Sequence, residues 1–360
     1  MKQPLLNKND VKALCVSALG RWETYVPIEG LGADVQFARL NGSTSHTINH
    51  ERNRTPDNEK KQMLLDRLNL DYESLVNPPK TVVFPQLESL FRFQNGKIIE
   101  TVDPKAPKLL FGLRACDVRA ILFMDDFFKR NFEDIYYLNR SMDKLLVIVG
   151  CKRPLENCFC TSAKTGPFLK TGFDLQLIDI GDKYVVEVGS EKAKEFVDSY
   201  KKFFGEASKD DIECSKAAKH DAEQAVTLKL DFEKAVEKFC RNRVPEQIYE
   251  PIAQRCIYCG GCLYVCPTCT CFNVFDELNA GSGVRCRNWD ACVFEGYTRE
   301  ASGHNPRLEK SNRTCRRFEH KLKYDYLTTG MSGCVGCGRC LSACPVNIGI
   351  SQVIEEVAKS

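Results

Sequence analysis

Apolar residues along the chain change their period several times, and each change predicts an element. Lys108-Leu-Leu-Phe-Gly-Leu113 and Leu145-Leu-Val-Ile-Val-Gly150 are short, nearly continuous apolar runs, the signature of buried strands. Between them Val118, Ile121, Leu122 and Phe128 recur at helical spacing over residues 117–130. Strand, helix and strand in that order predict a βαβ unit with parallel strands, which brings both strand C-termini to one sheet edge. Residues 173–179 and 183–188 flank Gly181-Asp182 and predict an antiparallel hairpin. From residue 191 to about 243, Lys, Glu, Asp and Ala surround scattered apolar positions such as Phe196, Tyr200, Phe232, Val236 and Phe239, a pattern of surface helices. Pro245 and Pro251 then bracket the passage into a cysteine-rich C-terminal third. The aromatic stripe Phe123, Phe127, Phe128, Phe132 reads as core.

Composition changes this picture only through cysteine. The 360 residues are 43% hydrophobic and 28% charged, ordinary for a soluble globular protein with more than one domain. A net charge of +3, from 51 basic and 48 acidic residues, gives no global reason to expect a nucleic-acid or membrane partner. The strongest apolar run is too short for a membrane span, and Met1-Lys-Gln-Pro-Leu-Leu-Asn-Lys-Asn-Asp10 has no signal-peptide core, so a cytoplasmic protein is expected. In a reducing compartment, 20 cysteines at close spacing mean metal or redox chemistry rather than disulfides.

Two copies of one spacing carry that chemistry. Cys256-x2-Cys259-x2-Cys262-x3-Cys266-Pro267 recurs as Cys334-x2-Cys337-x2-Cys340-x3-Cys344-Pro345. This is the spacing of a bacterial ferredoxin with two [4Fe–4S] clusters, in which the fourth cysteine of each copy ligates the other cluster. Cys256, Cys259, Cys262 and Cys344 are therefore expected around one cluster, and Cys334, Cys337, Cys340 and Cys266 around the second. A zinc ribbon needs two cysteine pairs and would leave four thiols and both prolines unexplained. The 67 residues of 267–333 between Cys266 and Cys334 read as an insertion into the ferredoxin fold. Its basic stretch from Arg299 to Lys323 reads either as a solvated face offsetting the clusters or as a docking surface for an acidic partner or a phosphate-bearing cofactor.

Cys116 and Cys151 each follow one strand of the βαβ unit, and Cys158 and Cys160 come just after Cys151. Because open α/β sheets bind ligands at the C-terminal strand edge, these four are expected to hold a third [4Fe–4S] cluster. The alternative leaves Cys116 and Cys151 as small core residues and Cys158 with Cys160 as a redox-sensitive pair. Cys269, Cys271, Cys286, Cys292 and Cys315 lie in the insertion without an assigned role, and Cys15, Cys214 and Cys240 read as structural. Gly30-Leu-Gly32 falls short of a dinucleotide fingerprint, and no nucleophile–base constellation stands out.

Gly-Leu-Arg-Ala-Cys116-Asp, Asn-Cys158-Phe-Cys160, Cys-Pro-Thr-Cys269-Thr-Cys271-Phe, Asn-Trp289-Asp-Ala-Cys292, Gly303-His-Asn-Pro-Arg307 and the final Gly-Cys-Val-Gly-Cys-Gly-Arg-Cys occur in one order. As a set they resemble the iron–sulfur subunit family shared by anaerobic sulfite reductases and cytosolic NiFe sulfhydrogenases, where it is the β subunit, over about residues 80–350. Ala115 and Ala291 depart from its pattern, which is similar but has proline and serine there. The resemblance implies an electron-transfer subunit between a flavoprotein that oxidises NAD(P)H, carrying FAD or FMN, or a ferredoxin-linked subunit, and a catalytic subunit of sulfite reductase or hydrogenase type. A reductase with its own flavin or substrate site in the α/β region is the alternative. The expected fold is α+β. Residues 1–205 form an α/β domain with the short parallel βαβ unit, 206–245 a helical linker, and 246–360 a ferredoxin domain with the insertion 267–333.

Overall fold

The computed structural model describes residues 3–30, 34–41, 57–103, 105–279 and 281–360; Leu31 and Gly32 of the Gly30-Leu-Gly32 stretch lie outside them. Twelve strands are found among the described residues: β1 (Pro4–Asn7), β2 (Glu23–Glu29), β3 (Val35–Arg39), β4 (Leu87–Gln94), β5 (Lys97–Glu100), β6 (Lys108–Leu113), β7 (Lys144–Val149), β8 (Leu175–Asp179), β9 (Lys183–Val188), β10 (Phe204–Glu206), β11 (Phe272–Asn279) and β12 (Ser282–Trp289). They form an eight-stranded sheet in the order β10-β1-β9-β8-β7-β6-β2-β3 and a four-stranded sheet in the order β11-β12-β4-β5. β6 and β7 are parallel, as are β7 and β8, whereas β8 and β9 pair antiparallel. Helices Ala115–Phe127 and Ile135–Ser141 connect β6 to β7.

The large sheet is buried on both faces because its central strands β6 and β7 are nearly continuous apolar runs after their first residue. Leu109 and Phe111 of β6 join one core with Leu14, Trp22, Val147 and Phe196. Leu110 and Leu113 join the other with Val118, Ile121, Met124 and Ile148. A register shift between Phe111 and Leu113 turns Leu113 to the same side as Leu110. Gly112 permits it: its φ is +89°, and a Cβ there would sit 2.7 Å from Leu70 and 2.8 Å from Pro27.

A third core lies in the C-terminal half. Residues 206–245 hold helices Lys209–Ala225 and Phe232–Cys240, and the second gives Phe232, Ala235, Val236 and Phe239 to a cluster with Phe318, Leu322, Val353, Ile354 and Val357. The hairpin β11–β12 from the stretch 267–333 pairs through β12 with β4, so it is stitched to residues far earlier in the chain. Phe123 and Phe128 are buried, but Phe132, expected in the same stripe, is 90% exposed: the helix ends at Phe127, and the helical phase that would turn Phe132 inward ends with it.

Candidate metal centres

Each group of thiols is positioned by the end of a regular element. Cys116 opens the helix after β6, Cys151 lies just past β7, and the parallel pairing of the two strands brings both to one edge. Arg114 secures that edge by donating to the carbonyls of Val149 (3.0 Å) and Gly150 (3.1 Å). The loop carrying Cys158 and Cys160 then runs against the second cysteine motif. The Phe159 N–H donates to Gly336 O at 2.8 Å, Cys158 Sγ to Cys337 O at 3.3 Å, and Thr165 Oγ1 to Val335 O at 2.6 Å. Gly336 and Gly338 make this approach possible, since a Cβ on either would stand 2.8 Å from backbone of residues 157–160.

Three cavities gather the cysteines that the sequence singled out. One is lined by Cys256, Cys259, Cys262 and Cys344, the crossed set of the first motif. A second is lined by Cys334, Cys337, Cys340 and Cys266, together with Cys262. The third is lined by Cys116, Cys151, Cys158 and Cys160, together with Cys337. A wide surface groove lies elsewhere, along Lys170, Lys194, Lys201 and Lys219, and no cysteine lines it.

The donor chemistry fits iron–sulfur clusters. Among the described residues no three or more His, Cys, Asp or Glu side chains stand close enough to hold one metal ion. Thiolates on a single zinc would crowd to about 3.8 Å from one another, given a Zn–S bond of about 2.3 Å. A cubane holds each thiolate at a separate corner and needs them spread apart. Burial pushes the thiol of Cys262 up to about 11, that of Cys337 up to about 11 and that of Cys160 up to about 12, so loading a cluster there displaces protons.

Buried cations face the thiols. Lys321 Nζ donates to Cys266 Sγ at 3.3 Å, to Thr268 Oγ1 at 3.1 Å and to Gly333 O at 3.1 Å. Burial works against its charge, but Cys266, Cys269 and Cys334 outweigh it and hold the ammonium well above its ordinary pKa. The Cys269 hydrogen bond, helped by Lys321 and Lys80, holds Cys266 well below the usual thiol range against its burial. Arg317 is buried beside Cys262 and Cys340. Arg339 is buried in a two-pronged ion pair with the fully buried Asp117, at 2.7 and 3.1 Å. Asp117 follows Cys116 and Arg339 precedes Cys340, so this pair ties the third cavity to the second motif.

The basic stretch from Arg299 to Lys323 is therefore only in part a surface. Arg313 and Arg317 are buried one turn apart on the helix Lys310–Glu319, and Lys321 is buried in the π-helical turn His320–Tyr324 that continues it. Thiols opposite Arg317 and Lys321 make their charges tolerable inside the protein, whereas Arg313 donates to the carbonyls of Arg307 and Leu308 and lies over the Tyr258 ring. A spacing of four between cations, with Phe318 and Leu322 beside them, was a signal available in the sequence. Lys80 offered none: its Nζ reaches Cys269 O at 2.7 Å across 189 residues of chain and lies 4.0 Å from the Trp289 ring centre.

Residues 255–348 match the family model of the 4Fe-4S dicluster domain. Over 294 residues the chain is 32% identical to the sulfhydrogenase 2 subunit beta of Pyrococcus furiosus, which covers 81% of this chain and 86% of that protein. The chain belongs to this iron–sulfur subunit family. The family assignment agrees with the ordered motifs in the sequence, and it makes the protein an electron-transfer component of oxidoreductase chemistry with a dicluster domain in its C-terminal third. Among the described residues no helix is long and apolar enough to cross a membrane.

Proposed function

We propose that this member of the iron–sulfur subunit family is a three-cluster electron relay within a larger oxidoreductase. In this reading Cys256, Cys259, Cys262 and Cys344 hold one [4Fe–4S] cluster, Cys334, Cys337, Cys340 and Cys266 the second, and Cys116, Cys151, Cys158 and Cys160 the third. The supporting observation is continuity: Cys337 lines both the second and third cavities, and Cys262 lies in the first and second. Cubanes exchange one electron with little movement of their ligands. The protein's part is to fix the spacing, to exclude water and to set potentials through Lys321, Arg317 and Arg339. Cys259 is exposed, which leaves the first site open to a partner at the surface.

The domain reading goes with it: residues 1–205 carry the third cluster, 206–245 lead across, and 246–360 carry the pair, with 267–333 inserted. A flavoprotein that oxidises NAD(P)H and a catalytic subunit of hydrogenase or sulfite reductase type are the proposed partners. The test is the anaerobically purified chain. It should contain about twelve iron per chain, as three [4Fe–4S] clusters require. It should take electrons from a strong artificial reductant, and by itself neither oxidise NADH nor reduce sulfite. About eight iron would remove the third cluster, and bound flavin with NADH oxidation by the lone chain would overturn the relay.

A further inference from the structure

Beside the cysteine cavities lies a roomier pocket of about 580 Å³, within the size range of small-molecule sites. Three parts of the chain build it. The helix Ala115–Phe127 supplies Arg119 and Phe123, the helix Phe232–Cys240 supplies Phe232 and Val236, and the turn after Thr329 supplies Met331 and Cys334. Hydrogen bonds pin these walls in place: Thr165 Oγ1 donates to Val335 O at 2.6 Å, and the Cys334 N–H donates to Ser332 Oγ at 3.2 Å. Cys334 and Val335 also line the second cysteine cavity, so the pocket and that cavity share a wall.

Charge and polarity in the pocket suit one class of ligand. Its two acids are already paired, Glu233 with Lys164 and Glu237 with Arg241 at 2.9 Å, and both pairs are exposed. Arg119 is half-buried, and among the described residues its side chain has no hydrogen-bond or ion-pair partner. A guanidinium in that position favours an anion, and its planar fork matches an oxyanion with two hydrogen bonds. Around it Phe123, Phe232 and Val236 are buried and Met331 partly so, which gives apolar and aromatic walls for a ring. Cys116, Arg119 and Phe123 follow at i, i+3 and i+7 on one stripe of their helix, which leads from the third cysteine cavity to this pocket.

We propose that this pocket binds a small aromatic anion of quinone type, held by Arg119, which exchanges electrons with the second cluster through Cys334. The electron step rests on the relay reading; the binding does not. With Cys334 in the shared wall, only a thiolate separates the bound ring from the cluster. Two reduced clusters each give up one electron. The quinone takes both, with two protons from solvent, and leaves as the hydroquinone; the reverse sequence loads the clusters.

The probe is anthraquinone monosulfonate, used without oxygen on the cluster-loaded chain. In equilibrium dialysis the parent protein should bind it saturably, and Arg119→Gln should weaken binding by about tenfold or more. Arg119→Lys should recover part of that loss. Met331→Trp, which fills the pocket from a partly buried wall, should abolish binding. A neutral hydroxymethyl-anthraquinone should bind parent and Arg119→Gln alike. When dithionite-reduced protein is mixed with the probe, cluster reoxidation should level off at high probe concentration. Arg119→Gln should raise the half-maximal concentration by the same factor, while reduction by methyl viologen, a cation, stays at the parent rate. No saturable binding, or binding that neither Arg119→Gln nor Met331→Trp changes, overturns the site. Saturable binding with reoxidation that rises linearly, and equally in parent and variants, overturns the electron contact and leaves the relay standing. Binding by a parent chain that shows no second-cluster EPR signal counts instead against the relay.

Discussion

Replacing Lys321 by Met removes a positive charge while roughly keeping the side chain's length and its apolar stem. Its ammonium lies 3.3 Å from Cys266 Sγ, so its charge stands roughly 7 Å from the middle of a cluster ligated there. At an effective dielectric constant of about 20, one added electron at that separation interacts with the ammonium by about 2.4 kcal/mol. Converted at 59 mV per tenfold change for one electron, this is about 100 mV. The variant's second cluster should therefore be harder to reduce by about 100 mV. Lys321→Arg should keep most of the wild-type value. The assay is a redox titration followed by EPR, with the signal assigned by its loss in Cys337→Ser. A shift below about 20 mV, or one confined to the signal lost in Cys259→Ser, would refute the assignment of Cys266 or the claim that Lys321 is charged.

Three further outcomes are expected. Asp117→Asn leaves the buried Arg339 charge without its partner and should cost about 3–5 kcal/mol in denaturant unfolding; Asp117→Leu with Arg339→Met should recover most of that loss, and equal instability of the double variant would count against the ion pair as the cause. Cys266→Ser should change the same EPR species as Cys337→Ser and a different one from Cys259→Ser, because the ligation is crossed. His320 is pushed down to about 4 by burial and then by Lys321, Arg316 and Arg130, so between about 4 and its ordinary 6.5 the unfolded chain binds the extra proton. Stability should fall as pH drops through that window, and His320→Gln should flatten the urea midpoint between pH 7 and pH 5.

Local physics made much of this protein legible before any coordinates. Metal-ligand spacing is a short-range constraint, so both ferredoxin motifs can be read from the chain, and the family assignment agrees with them. The buried strands β6 and β7 announce themselves as continuous apolar runs, and the β8–β9 hairpin is marked by its turn residues. Even the convergence of Cys116 with Cys151 followed from one topological rule about parallel strands. Charge was where local reading failed. In the sequence, residues Arg299 to Lys323 look like a basic surface, because cations are rarely buried without partners. Arg313 donates to the nearby carbonyls of Arg307 and Leu308, but the partners of Arg317 and Lys321 come from another segment: Cys262 lies beside Arg317, and Cys266 against Lys321. Asp117 and Arg339 are 222 residues apart, and Lys80 and Cys269 are 189 apart. Nothing in the periodicity near either member marks the other. Whether a charge faces water or a thiolate depends on which distant segments fold against it, and only the tertiary structure decides that.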